Sequence, residues 1–258
     1  MTERQTSDAD VRLEAVGLTK RYEDGVLALD HVSFRVTAGQ IYAMLGGNGA
    51  GKTTTINLFL NLIEPTEGEA RIGGIASHKE PLEAKKNVAF VSENVMLYGN
   101  FTALQNLEFF SRIGGNATYT RDHLRDILVR VGLPATVHHK RLKEFSKGMR
   151  QKCGIAIAIA KNAPAILLDE PTAGLDPKAG YDFLRLLETL RSEGKAILMS
   201  THDIFRAREV ADVVAIMDSG RIIMQQPAAA LAGRDLEDLY MHHMAGRTAA
   251  LRQEQAPC

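Results

Sequence analysis

The stretch Gly46-Gly47-Asn48-Gly49-Ala50-Gly51-Lys52-Thr53-Thr54 decides how the rest of this chain is read. It fits the pattern G-x-x-x-x-G-K-T. The apolar run Ile41-Tyr42-Ala43-Met44-Leu45 precedes it and has the character of a buried strand. Behind it Ile56, Phe59, Leu60 and Ile63 recur at i, i+3, i+4 and i+7, one face of a helix. Strand, glycine loop and helix together are the context that gives the pattern meaning. Glycines let successive backbone N–H groups turn toward one point. The helix N-terminus adds partial positive charge and Lys52 a full one, so the loop is a cradle for phosphate. The Thr53 hydroxyl is placed to bind Mg²⁺.

Outward from the loop, residues 11–45 read as strands, with turns at Asp24-Gly25 and Ala38-Gly39. His31 to Val36 alternates polar and apolar, as a half-buried strand does. The helix after the loop stops near Pro65. Glu67 to Gly74 suggests a short strand between turns, and Lys86 to Val91 another strand. Between residues 95 and 160 the pattern turns helical. Thr102-Ala103-Leu104-Gln105 is a capping box; Leu124, Ile127, Leu128 and Val131 form a second face, ended by Gly132 and Pro134; Gly148 to Lys161 is a third helix. Strands at 165–168 and 196–199, a helix through Phe183, Leu186, Leu187 and Leu190, and a hairpin over 213–224 follow. Leu236, Leu239, Tyr240 and His243 mark a last short helix. The expected fold class is α/β: a P-loop core with a mostly parallel sheet, an N-terminal antiparallel β-subdomain and an inserted helical subdomain. One domain is expected over 11–245, with flexible termini at 1–10 and 246–258.

The 258 residues carry 31 Lys+Arg against 31 Asp+Glu and are 45% apolar, enough for a sizeable core. Balanced charge gives no reason to expect nucleic acid as a partner. No apolar run approaches the ~20 residues of a membrane span. The polar, acid-bearing start is unlike a secretory signal, and two cysteines, Cys153 and Cys258, make no disulfide framework, so a cytosolic setting is expected. Cys153 reads as core. The pairs His138-His139 and His242-His243 read as surface residues, because adjacent helical side chains diverge by ~100° and cannot share a metal. Lys140-Arg141-Leu142-Lys143 reads as a solvated face.

A phosphate loop needs an acid to hold magnesium. The apolar Leu167-Leu168 ends in Asp169, which falls beside Thr53, and Glu170 follows at the strand exit, where it could accept a proton from an attacking water. Phe145-Ser146-Lys147-Gly148-Met149 then resembles the signature of ATP-binding cassette (ABC) ATPases. Asp169 to Pro177 resembles that family's metal-site and D-loop run, Ser200-Thr201-His202-Asp203 its switch-histidine segment, and Tyr22 its adenine-stacking aromatic. The resemblance spans residues 11–245. It implies that ABC domains pair head to tail, each ATP lying between one phosphate loop and the other subunit's signature. Ser146 and the Gly148 N–H would face the partner's γ-phosphate, His202 would contact γ-phosphate or position water, and Asp176 would sit at the dimer seam.

Two residues depart from the family pattern. Glu93 stands where Gln is usual, at the joint to the helical insert. It is expected to keep a metal-sensing role, with altered nucleotide affinity, or else to be a neutral change pointing to solvent. Lys147 replaces the first signature glycine; it would add charge toward the partner's ATP or simply point outward. Tyr98 to Thr102 resembles the region where ABC domains receive coupling helices from membrane subunits. With Leu236-Glu237-Asp238-Leu239-Tyr240, it looks most like the bacterial exporter-type branch with separate ATPase and permease chains. The resemblance implies an ATPase on the inner face of the membrane, with ATP, Mg²⁺, permease subunits and a second copy or related subunit as partners. The competing expectations are a soluble ABC switch on DNA, ribosomes or an assembly machine, and an importer subunit.

Overall fold

The computed structural model describes residues 10–115 and 118–231. Two sheets organise them. Strands β1 (Val11–Arg21), β2 (Leu27–Thr37), β4 (Glu67–Ile72) and β5 (Ile75–Ala76) form an antiparallel sheet in the order β2-β1-β4-β5. The second sheet runs β10-β9-β3-β8-β7-β6, from β3 (Ile41–Leu45), β6 (Val88–Val91), β7 (Ala165–Asp169), β8 (Ala196–Thr201), β9 (Val213–Asp218) and β10 (Arg221–Pro227). Its strands are parallel except for β10, which returns antiparallel to β9 through the turn at Ser219-Gly220.

Parallel strands covered on both faces are apolar throughout, and β3 is buried at all five positions. The alternation of side chains splits the core in two. Ile41, Ala43 and Leu45 join Ile166, Leu168, Ile197 and Met199 on the face covered by α6 (Pro177–Ser192) and α7 (Ile204–Val210). Tyr42 and Met44 join Leu167 and Leu198 on the face covered by α1 (Lys52–Phe59) and the antiparallel sheet, where Phe34 stacks on Tyr42 at 4.9 Å between ring centroids.

Helices α3 (Ala103–Ile113), α4 (Arg121–Arg130) and α5 (Lys147–Lys161) intervene between β6 and β7 and pack on one another. The capping box forms as expected: the Thr102 hydroxyl accepts from Gln105 N–H at 3.1 Å, and Gln105 Oε1 accepts from Thr102 N–H at 2.8 Å. Helix α5 is pressed onto β6. A Cβ on Gly154 would stand 2.9 Å from Val91 Cγ1, so any side chain there would force α5 or Val91 to shift.

Three expectations are corrected, the first being the helix after the phosphate loop, which ends at Phe59 and not near Pro65. The segment from Lys86 is not all strand: Lys86 ends a short helix, α2 (Pro81–Lys86), and β6 begins at Val88. Helix α7, seven residues long, was not anticipated. His138 is not a surface residue. It is 1% exposed, with Nε2 2.8 Å from the Leu133 carbonyl, and acts as a packing residue of the helical insert, while His139 is exposed. The helix expected over 236–243, the termini, His242-His243 and Cys258 lie outside the described residues. No helix among the described residues is long and apolar enough to cross a membrane.

Cys153 is 2% exposed in α5, and burial pushes its thiol up to about 12, so almost no thiolate is present near pH ~8. In a Cys258→Ser variant, a thiol reagent at that pH should leave the native protein unlabelled and label one site after unfolding. Equal labelling rates for native and unfolded chains would show that α5 does not hold this residue.

Candidate active site

The loop between β3 and α1 is fixed by contacts its sequence cannot relax. A Cβ on Gly46 would meet the Met217 carbonyl oxygen at 2.5 Å. Gly51 has φ +107°, and a Cβ there would meet Leu29 Cδ2 at 2.7 Å and the Ala28 carbonyl oxygen at 2.9 Å. Gly46 N–H donates to Thr201 O, and Ala50 O accepts from Gly220 N–H, which ties the loop to the ends of β8 and β9. Helix α1 starts with no side-chain cap and no acid in its first turn, so its leading N–H groups and its dipole face outward.

An open cleft of about 490 Å³ lies over this loop, lined by Gly47 to Thr54, Glu93, Asp169, Glu170, Ser219 and the β2 start at Val26 to Ala28. The expected residues Gly47, Asn48, Gly49, Ala50, Gly51, Lys52, Thr53, Thr54, Glu93, Asp169 and Glu170 thus come together from β3, α1, β6 and β7. Lys52 is only 6% exposed; its Nζ donates to Gly46 O at 2.6 Å and Gly47 O at 3.2 Å and stands 3.3 Å from Glu170 Oε1. The Thr53 hydroxyl donates to Asp169 at 3.1 Å and 3.3 Å from its two carboxylate oxygens. His202 Nδ1 lies 2.9 Å from Glu170 Oε2, and its backbone N–H points at the same oxygen from 3.3 Å. Glu170 is therefore held between Lys52 and His202.

Glu170 has φ +46°, a left-handed conformation that costs a non-glycine residue about 1–2 kcal/mol. Ser200 compensates for it. Its hydroxyl accepts from Glu170 N–H at 3.0 Å and donates to Asp169 Oδ1 at 2.5 Å, and its carbonyl also accepts from Glu170 N–H at 3.2 Å. Fully buried on β8, Ser200 was not anticipated as a site residue. The signal available was its place immediately before Thr201-His202 at the end of a strand.

Tyr22, Ser146, Gly148 and Asp176 fall outside the cleft lining. Tyr22 is on the β1–β2 turn, 38% exposed, with Lys20 Nζ 5.3 Å from its ring centroid. Ser146 is exposed and caps α5, accepting from Met149 N–H at 3.3 Å. Asp176 caps α6, accepting from Ala179 N–H at 2.9 Å. Lys147 does not simply point outward: its Nζ lies 3.4 Å from Glu93 Oε1 within the same chain.

The oxygens of Thr53, Asp169 and Glu93 are hard donors. Among the described residues there is no cluster of three or more His, Cys, Asp or Glu able to hold a metal alone. That donor set fits Mg²⁺, which takes one or two carboxylates and completes its shell with water and substrate phosphate.

The family description "ABC transporter" matches residues 29–173. The chain is 34% identical over 210 residues to the ABC transporter ATP-binding protein NatA of Bacillus subtilis, covering 80% of this chain and 85% of the relative. It is 31% identical over 244 residues to the daunorubicin/doxorubicin resistance ATP-binding protein DrrA of Streptomyces peucetius, covering 93% and 73%. It is likewise 31% identical over 243 residues to the phosphonates import ATP-binding protein PhnC 1 of Ruegeria, covering 88% and 94%. A dimeric ATP-binding cassette solved in a post-hydrolysis state with ADP and Pi superposes with a TM-score of 0.75 at 28% identity, covering 84% of this chain and 98% of that one. With a family match that spans the phosphate loop and the acid pair at the end of β7, these likenesses establish that the chain belongs to the ABC transporter family, as an ATP-binding subunit that hydrolyses ATP.

Proposed function

We propose that this ATPase binds Mg²⁺-ATP in the cleft and powers export through a separate membrane permease. The observation that carries the catalytic assignment is Glu170, whose carboxylate is fixed by Lys52 and His202 at the mouth of the phosphate loop. Glu170 accepts the proton of the attacking water. His202 orients that water or contacts the γ-phosphate, and Lys52 turns from the Gly46 and Gly47 carbonyls to the phosphate oxygens. Thr53, Asp169 and Glu93 would hold Mg²⁺, which when bound neutralises developing charge on those oxygens. Tyr22 stacks on adenine. Ser146 and Gly148 close over the nucleotide of a second copy or related subunit, and Asp176 lies at that seam; their separation from the chain's own cleft supports this reading.

The permease docks beside α3. There Met96, Tyr98, Phe101 and Phe109 are exposed, with the Tyr98 ring centroid 5.1 Å from each of Phe101 and Phe109. Buried Asn106 fixes the segment, its amide bonded to Tyr98 O, Thr102 O and Tyr98 N–H. A grouped apolar surface of this kind marks an interaction site. This docking puts the chain in the cytoplasm, on the inner face of the membrane. Export is favoured by likeness to a drug-resistance subunit; the importer reading stands second, on the likeness to a phosphonate import subunit. The run Leu236 to Tyr240, which also carried the exporter resemblance, lies outside the described residues.

Glu170→Gln keeps the shape of the side chain and removes the base, so hydrolysis should fall by about 10²–10⁴-fold while ATP binding persists and an ATP-bound dimer accumulates. Normal turnover in that variant would assign the base elsewhere. Ser200→Ala leaves Asp169 short of a donor; turnover should fall by about tenfold at saturating ATP, with the fold retained, as one such bond is worth ~1–2 kcal/mol. Unchanged turnover would limit Ser200 to packing. Co-purification with a polytopic membrane protein that stimulates ATP hydrolysis tests the transport assignment, and stable binding to ribosomes or DNA with no such partner would overturn it.

A further inference from the structure

Helix α5 holds residue 93 twice. Gln151, fully buried, donates its amide to Glu93 O at 2.8 Å and to Ser92 O at 3.2 Å. One turn earlier, on the same helix face, Lys147 reaches the Glu93 carboxylate, its Nζ 3.4 Å from Oε1. The Lys147 side chain runs past Gly174, whose φ of +68° favours glycine. The Glu93 carboxylate, 46% exposed, also lines the cleft that holds Thr53 and Asp169. A carboxylate between an ammonium and a cation site is shared by two positive partners, and each weakens its hold on the other.

We infer that Lys147 is a positioning residue that competes with the Mg²⁺-nucleotide site for the Glu93 carboxylate, so that binding in the cleft loosens the side-chain tie between α5 and residue 93. The inference rests on the Mg²⁺-ATP reading above and extends it to a residue outside the cleft. The two departures from the family pattern form one pair. Glutamate at position 93 would bind the cation more strongly than an amide does, and Lys147 offsets that gain. Gln151 keeps its hold on the Glu93 backbone throughout, so only the side-chain tie is exchanged. Both groups are partly solvated, which makes the tie weak, salt-sensitive and readily exchanged.

The test uses full-length protein and the non-hydrolysable analogue adenylyl imidodiphosphate, titrated with Mg²⁺ and with chelator. Lys147→Met should tighten binding by about threefold with Mg²⁺ and leave it unchanged without. Lys147→Arg should behave as the parent, and in a Glu93→Gln background Lys147→Met should have no effect. A second arm needs no nucleotide. In a Cys258→Ser background, spin labels replace the exposed Leu82 on α2 and Val129 on α4. The distance distribution should broaden on Lys147→Met, broaden equally on Glu93→Gln, and broaden no further in the double variant; ~1 M salt should broaden the parent likewise. An Mg²⁺-independent affinity change, the same change in the Glu93→Gln background, or identical distributions in all variants would overturn the inference. Failure of the parent to bind the analogue would sink the Mg²⁺-ATP reading instead, leaving the distance arm to judge the tie on its own.

Discussion

A buried ammonium must be matched by oxygens, and Lys52 sets that condition for the whole core. An uncompensated cation at 6% exposure is costly, so the chain must bring acceptors to it. Two come from the loop itself, the Gly46 and Gly47 carbonyls, and the third from Glu170, more than a hundred residues on. Delivering Glu170 requires β7 to lie one strand away from β3, with β8 between them. β8 in turn supplies Ser200 to hold Asp169 and Glu170, and His202 to close the far side. The sheet order and the cleft chemistry are thus one arrangement: three neighbouring parallel strands whose C-terminal ends bring the phosphate loop, the Asp169-Glu170 pair, and Ser200 with His202 to one side of an apolar sheet.

Much of this was legible in the sequence because each strand of the parallel sheet is a short apolar run. The glycine loop also names its own neighbours. The acid pair after Leu167-Leu168 could be assigned by position, since a side chain just beyond a buried strand emerges at the sheet edge, whereas His202 was assigned through the family resemblance of Ser200-Thr201-His202-Asp203. What was not legible depended on distance through space. α2 and α7 are too short to show a helical period. His138 is buried by a bond to a carbonyl five residues back, which composition cannot reveal. Ser200 becomes a site residue only once β7 and β8 pair, and Lys147 finds Glu93 across 54 positions of chain. The C-terminal run and the last helix fall outside the described residues and stay as expectations of the sequence.

The helical insert is attached to the core at its two ends, after β6 and before β7. The close approach of Gly154 to Val91 gives one apolar seat to that attachment, Gln151 a backbone grip, and Lys147 an ionic one. These differ in kind. The packed seat and the buried amide are short-range and insensitive to salt, whereas the ion pair responds to any charge introduced into the cleft. One joint therefore combines a packed, hydrogen-bonded seat with a solvated ionic contact.

The exposed ring cluster around Tyr98 has a thermodynamic consequence. The chain carries equal numbers of acidic and basic residues, so no long-range field of net charge steers a partner toward that patch. Any steering must come from local charge, and the basic run at Arg141 and Lys143 is bonded to this segment through Thr102 and Gly99. Covering Met96, Tyr98, Phe101 and Phe109 removes apolar surface from water, so complex formation should carry a negative heat-capacity change, and the enthalpy of assembly should slope downward as temperature rises.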